Sequence, residues 1–192
     1  MQVRLKNRKE QIVDLGLSLL QTRGFENFSY QDLARELGIT KASIHHHFPK
    51  KADLGVALCQ AIQCWHEEQF AQIKALPGSV MEKLDRYVMG NLKFACGQKK
   101  ICPLSSLQAD IASLPPDMKV SLKQLDEHEL DFIGELLEQG RESGELNFVG
   151  DSRSQATLFV LACKGAMQYS RVHGSKIFDD TMAQMRLMLG SR

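Results

Sequence analysis

Cys102 is the residue of this chain best placed for covalent chemistry. It sits in the run Lys99-Lys100-Ile101-Cys102-Pro103-Leu104, at the start of a predicted helix. Cations and a helix N-terminus both stabilise thiolate, the nucleophilic and oxidisable form of cysteine. Cys59, Cys64, Cys96 and Cys163 lie within helical patterns, where a cysteine behaves as a small apolar side chain. The five cysteines include no Cys-x-x-Cys pair, which argues against a disulfide framework and against structural zinc. A second set is polar: Thr40, Lys41, Ala42 and Ser43, then His45, His46 and His47. Small hydroxylic, basic and imidazole side chains on one short helix suit base edges and phosphates. Adjacent histidines on a helix point about 100° apart and do not converge on a metal as an i, i+4 pair would. No metal and no cofactor is expected.

Both sets need helices to hold them, and helical periodicity dominates the chain. Ile12, Leu15, Leu19 and Leu20 form one apolar stripe that ends at Gly24. Ser29 then reads as an N-cap with Asp32 three residues on, and Leu33, Ala34 and Leu37 follow as a short apolar face. Gly38 stops that helix, Thr40 caps the next, and Pro49 ends it while pushing Phe48 out of helical geometry. Further helices are predicted over 51–74, from Ser79 to near Gly97, over 102–112, 117–142, 154–171 and 179–189. The fold class is all-α. A head over residues 1–50 is expected, followed by an effector-sensing and dimerisation domain over 51–192.

The chain has 192 residues, 43% of them hydrophobic, which is enough for a real core. Net charge is only +1, but residues 1–53 carry nine Lys/Arg against six Asp/Glu. A modestly basic end on a neutral protein fits a small nucleic-acid-binding head. No stretch approaches the roughly 18 apolar residues that span a bilayer, and the N-terminus carries no apolar run with a cleavage site. A cytoplasmic location with no membrane partner is expected.

The run from Ser29 to Phe48 meets the demands of a helix-turn-helix. Leu33, Ala34, Leu37, Ile39 and Ile44 pack, Gly38 turns, and the polar residues remain outside. It resembles the head of the TetR family of repressors. The matching elements are Gly24-Phe25, Ser29, Asp32-Leu33-Ala34, Gly38-Ile39-Thr40-Lys41-Ala42-Ser43, His47-Phe48 and Lys51-Ala52-Asp53-Leu54. The resemblance implies a repressor of double-stranded operator DNA, with Thr40, Lys41, Ala42 and Ser43 at base edges. It also implies phosphate contacts from His45, His46 and Lys51, and DNA-backbone contacts from Ser29 and Tyr30. His45 and His46 stand where the family usually has tyrosines. An imidazole bonds phosphate more strongly when protonated, so operator affinity should strengthen as pH falls from about 7.5 to 6.

The resemblance further implies a homodimer closed by a four-helix bundle, with 117–142 and 154–171 as the candidate helices. The second is apolar on more than one side, which independently argues for burial against a partner. The region around Cys102, with Leu107, Ala109, Leu114, Met118 and Glu138-x-Gly140-Arg141-x-x-Gly144-Glu145-Leu146, is similar to a TetR branch that senses electrophiles and oxidants through a cysteine at this position. That cysteine usually follows a glycine, where this chain has Ile101. The competing expectation is a non-covalent effector pocket lined by Phe94, Leu104, Leu107, Met118, Phe132, Phe159, Met167 and Tyr169. An enzyme is not expected, since nothing in the sequence brings Cys102 to His128 or supplies an oxyanion hole. A helical interaction module without DNA binding is the remaining alternative. In that case operator affinity would lack the steep salt dependence of phosphate contacts.

Overall fold

A computed structural model describes residues 7–95 and 100–190, with side chains omitted at 93–95. The described residues form helices and no strand: α1 (Arg8–Arg23), α2 (Tyr30–Leu37), α3 (Lys41–His47), α4 (Lys51–Ala75), α5 (Val80–Ala95), α6 (Pro103–Ala109), α7 (Pro116–Glu142), α8 (Ser152–His173) and α9 (Lys176–Met188).

The short helices of the head begin and end where local chemistry dictates. Asn7 and Glu10 form a reciprocal capping box at α1, and Ser29 and Asp32 form another at α2. The hydrogen bonds from Ser29, together with the neighbouring Arg35, hold the Asp32 carboxyl down at about 2. Gly38 takes the left-handed conformation (φ 63°) that ends α2. Thr40 accepts from Ser43 N at 3.1 Å and opens α3. Phe48 is extended before Pro49, so α3 stops there.

By packing, the chain falls into two units: residues 1–64 with 103–125, and residues 65–102 with 126–192. This division does not fall at residue 50, because the head shares its unit with the first half of α4, with α6 and with the start of α7. In the first unit Ile12, Leu20, Leu33, Ile44, Leu54 and Leu58 are fully buried. A Cβ on Gly55 would overlap Met118 Sδ and lie 3.0 Å from Phe25 Cζ, so a side chain there would force Met118 to shift. The α6 helix and Asp110 just after it are tied to the head by two polar contacts. Ser106 Oγ donates to the Leu20 carbonyl at 2.7 Å, and Phe25 N–H donates to Asp110 Oδ2 at 2.7 Å.

The second unit is built on an aromatic and aliphatic core. Phe70 stacks on Phe132 with centroids 4.0 Å apart, and Ile133, Leu136, Leu137, Val160 and Met185 close around them. The N-terminus of α5 is capped from a distance, as Val80 N–H and Met81 N–H donate to the Glu145 carboxylate at 2.7 and 2.8 Å. On α7 the buried side is apolar except for Glu129, and its outward residues Glu127, Asp131 and Glu135 form ion pairs with Arg153 and Lys74. On α8, Phe159, Val160, Cys163 and Met167 point inward while Leu158, Leu161, Tyr169 and Val172 stay exposed. On α9, Leu187 and Met188 are also exposed.

Candidate nucleic-acid interface and sensing cluster

Ile44, at 0% exposure, fixes α3 to the head, and this sets what the rest of the helix can do. Thr40, Lys41, Ala42, His45 and His46 are exposed, and Ser43 is half-buried. The Ser29 hydroxyl is exposed but donates to Asp32 Oδ2 at 2.7 Å. His45 Nδ1 lies 3.2 Å from the Pro49 carbonyl. A carbonyl only accepts, so Nδ1 carries the hydrogen and Nε2 of the neutral ring is a lone pair. Protonation is what gives His45 an outward N–H. The His46 and His47 rings meet edge-on with centroids 5.3 Å apart, and among the described residues no three His, Cys, Asp or Glu side chains are arranged to hold a metal.

Two expected DNA contacts are placed otherwise. Tyr30 is buried, and its hydroxyl donates to the Phe48 carbonyl at 2.8 Å. Burial, with Asp53 nearby, pushes that phenol up to about 12, and its O–H is spent on locking α2 to the end of α3. Lys51 is drawn inward as well. Its ammonium sits 4.7 Å from the Phe25 ring centroid and 4.8 Å from that of Phe28, 3.5 Å from the Glu26 carbonyl. Burial lowers its pKa against the pull of Glu26, Asp110 and Asp32. A cation between two ring faces staples the turn between α1 and α2.

In the second unit a buried polar cluster lies within electrostatic reach of Cys102, which is half-buried directly before α6. Lys164 Nζ lies 2.7 Å from Glu129 Oε2 and 3.6 Å from Asp126 Oδ1. Glu129 is 2% exposed, and its other oxygen accepts from Tyr87 O–H at 2.8 Å. Lys164 and Glu129 form a buried pair of opposite charges. Burial works against the Lys164 ammonium, but the charges of Glu129 and Cys102 outweigh it and raise the pKa. Cys102 is thus near enough for its charge to act on Lys164, and it acts also on Tyr87 and Cys163. Burial first, then Glu129 and Cys102, push Cys163 up to about 12, and burial pushes Cys59 up to about 11. Burial thus disfavours the thiolate at both positions. Cys64 is exposed on α4. Cys96, Lys99 and the side chain of Phe94 lie outside the described residues.

The residues expected to line an effector pocket are packed as core. Leu104, Leu107 and Met118 are fully buried in the first unit, and Phe132, Phe159 and Met167 are buried in the second. Tyr169 is 59% exposed. The second unit instead carries a shallow groove between α4 and α5, beside Trp65, His66 and Arg86.

Comparison with known proteins agrees with this arrangement. The family model for bacterial regulatory proteins of the tetR family matches residues 12–58, which span α1 to α3 and the start of α4. The chain is 24% identical over 170 residues to NemR, an HTH-type transcriptional repressor of Escherichia coli (strain K12), covering 87% of this chain and 85% of NemR. The structure of a TetR-family transcriptional regulator from Agrobacterium tumefaciens is similar with a TM-score of 0.88 and 28% identity, over 94% of this chain and 96% of that one. Residues 12–58 are a tetR-family head. The reduced form of E. coli NemR shares its fold with a TM-score of 0.85 at 21% identity, over 96% of this chain and 98% of that one.

Behind this head, sequence reasoning named Cys102 but missed its company. Lys164 carried a signal, being a lone cation inside the apolar run from Leu158 to Met167. Tyr87 and Glu129 carried none, since each sits in an ordinary amphipathic pattern. Among the described residues no helix is long and apolar enough to cross a membrane.

Proposed function

We propose that this protein is a cytoplasmic, homodimeric repressor that binds operator DNA through α3 and lets go when Cys102 is modified. The observation that carries the reading is α3 itself. A seven-residue helix anchored by one fully buried isoleucine leaves Thr40, Lys41 and Ala42 outward at its N-terminal end, where a recognition helix meets base edges. His45 and His46 then face phosphates, and protonation of His45 supplies the donor that a phosphate oxygen needs. Tyr30 and Lys51 brace the helix from behind.

So short a helix needs a second copy one helical turn of DNA away. The exposed apolar residues Leu158, Leu161, Tyr169 and Val172 of α8 and Leu187 and Met188 of α9 make the surface on which that copy packs. This favours α8 with α9 over the pair α7 and α8, because the outward face of α7 is charged.

Cys102 supplies the signal. Lys164 holds a positive charge near the thiol, which favours its thiolate. With a Michael acceptor the sulfur adds to the β-carbon, and a proton ends on the α-carbon, so nothing leaves. The next residue, Pro103, begins α6; its Ser106, and Asp110 directly after it, grip the end of α1 and the turn that follows. A displacement of α6 therefore reaches the head, and a head held at the wrong spacing loses affinity. That a structure of the similar protein NemR is described as its reduced form supports a thiol-based signal.

The test uses operator fragments selected by the protein from random-sequence DNA. Affinity is measured before and after N-ethylmaleimide, in wild type and Cys102→Ser. Wild type should lose at least tenfold in affinity while Cys102→Ser holds it. Equal loss in both would overturn the role of Cys102.

A further inference from the structure

Two carboxylates share one ammonium within reach of Cys102. The Lys164 side chain is 12% exposed, and its Nζ lies 2.7 Å from Glu129 Oε2 and 3.6 Å from Asp126 Oδ1. Glu129 is 2% exposed, and its other oxygen accepts from Tyr87 O–H at 2.8 Å. That phenol is a neutral donor, which holds the carboxylate in place without cancelling its charge. His66 also feels Glu129 and Lys164, but burial holds its pKa down at about 4, so near pH 7 it adds no positive charge. His128, next to Glu129 in the chain, has its ring against Phe70 with centroids 5.2 Å apart. Lys100, two residues before Cys102, forms no ion pair with either carboxylate among the described residues. Lys164 thus faces both carboxylates before the thiol has ionised.

By packing, Cys102 belongs with α5, the later part of α7 and α8, and the boundary between the units falls directly after it. Its charge acts on Lys164, on Tyr87 and on Cys163, and Glu129 acts on the same three groups. A thiolate at Cys102 and the carboxylate of Glu129 therefore compete for one ammonium, and each disfavours the other. An ammonium with an anion 2.7 Å away presents a dipole to a third group rather than a full charge, and a dipole's field falls off faster with distance. If Glu129 were made neutral, Asp126 would remain beside Lys164 as its counter-ion. The ammonium would then keep its charge, and its pull on the thiol would be uncovered.

We infer that Glu129 is a positioning residue that restrains Cys102, by occupying the Lys164 ammonium that would otherwise serve the thiolate, and that the surplus of negative charge admits uncharged electrophiles ahead of anionic ones. The meaning of this for regulation rests on the reading of Cys102 given above; the effect on the thiol does not.

Alkylation of Cys102 by iodoacetamide is followed in the full-length protein from about pH 6 to about pH 10, across the ordinary thiol range. The Cys102 peptide is resolved by mass spectrometry, so the other cysteines do not contribute. The thiolate sulfur bonds to the methylene carbon and iodide leaves, the thiol proton having gone to solvent. In Glu129→Gln the rate profile should move about one pH unit towards acid. At pH 7 the rate should rise about threefold, from tenfold more thiolate offset by its lower nucleophilicity. Tyr87→Phe disturbs the same cluster without removing a charge and should leave the profile in place. Asp126→Asn, at a 32% exposed side chain, should move it in the same direction as Glu129→Gln but by less, and it decides the matter where Glu129→Gln fails to fold. Iodoacetate should lag behind iodoacetamide on wild type by more than it does on N-acetylcysteine, and the gap should narrow in Glu129→Gln. A profile unmoved or moved towards alkali in Glu129→Gln, or in Asp126→Asn in its place, overturns the proposal. So does an equal shift in Tyr87→Phe, or an iodoacetate lag no greater than that of the free thiol. Operator binding before and after alkylation is measured on the same samples. A moved profile with no loss of operator on alkylation defeats the regulator reading and leaves the role of Glu129 standing; loss of operator with an unmoved profile defeats the role of Glu129 alone.

Discussion

His66 couples the stability of the second unit to pH. Its imidazole titrates near 6.5 when exposed and near 4 in the fold, because burial disfavours the cation. Below pH 6.5 the unfolded chain binds a proton that the folded chain refuses. The stabilisation is therefore present in full above 6.5 and is lost progressively as pH falls towards 4. At pH 4.5 the loss is about 2.5 kcal/mol, from the two titration points at about 1.4 kcal/mol per unit. Carboxylates lowered by hydrogen bonds, such as Asp32, lose their contribution mainly below pH 4, so this window belongs to the histidines. The assay is urea unfolding at fixed protomer concentration, at pH 7.5, 6.0, 5.0 and 4.5, for wild type and His66→Gln. Wild type should lose about 2–3 kcal/mol more than the variant between the first and last points. Parallel pH profiles would refute the reasoning, because they would mean His66 is protonated in the fold or reached by water.

Two further predictions concern the head and the dimer. Lys51→Ala should lower folding stability by about 1–3 kcal/mol through the lost contacts to Phe25 and Phe28, with the slope of log affinity against log salt unchanged. A reduced slope with an unchanged melting temperature would restore Lys51 to the phosphate backbone. Leu161→Glu, on the exposed face of α8, should shift sedimentation from dimer to monomer and weaken operator binding in step; an unchanged dimer would move the interface off α8.

The head was legible in the sequence because its signals are local. Ser29 and Asp32 are three residues apart, Gly38 and Thr40 bracket one turn, and Pro49 ends α3, so each boundary is decided within a few residues. The same is true of the two apolar sides of α8. What sequence reasoning misplaced depends on distant partners. Tyr30 and Lys51 look like exposed polar groups until Phe48, Phe25 and Phe28 close on them, and the Tyr30 bond spans 18 residues. The cluster around Cys102 is drawn from four separate stretches of chain. Phe132, Phe159 and Met167 read the same whether they fill a core or line a cavity. A cavity is a lack of neighbours, and no periodicity encodes it. The groove beside Trp65 escaped notice for that reason.

The central claim is that the outward side of α3 reads DNA. Affinity for the selected operator and for random DNA, measured over a salt series in wild type and Lys41→Ala, tests it most directly. The account predicts a steep negative salt slope in wild type, and in Lys41→Ala a loss of about 1–3 kcal/mol on the operator with little change on random DNA. A flat salt slope, or an equal loss on both DNAs, would contradict it.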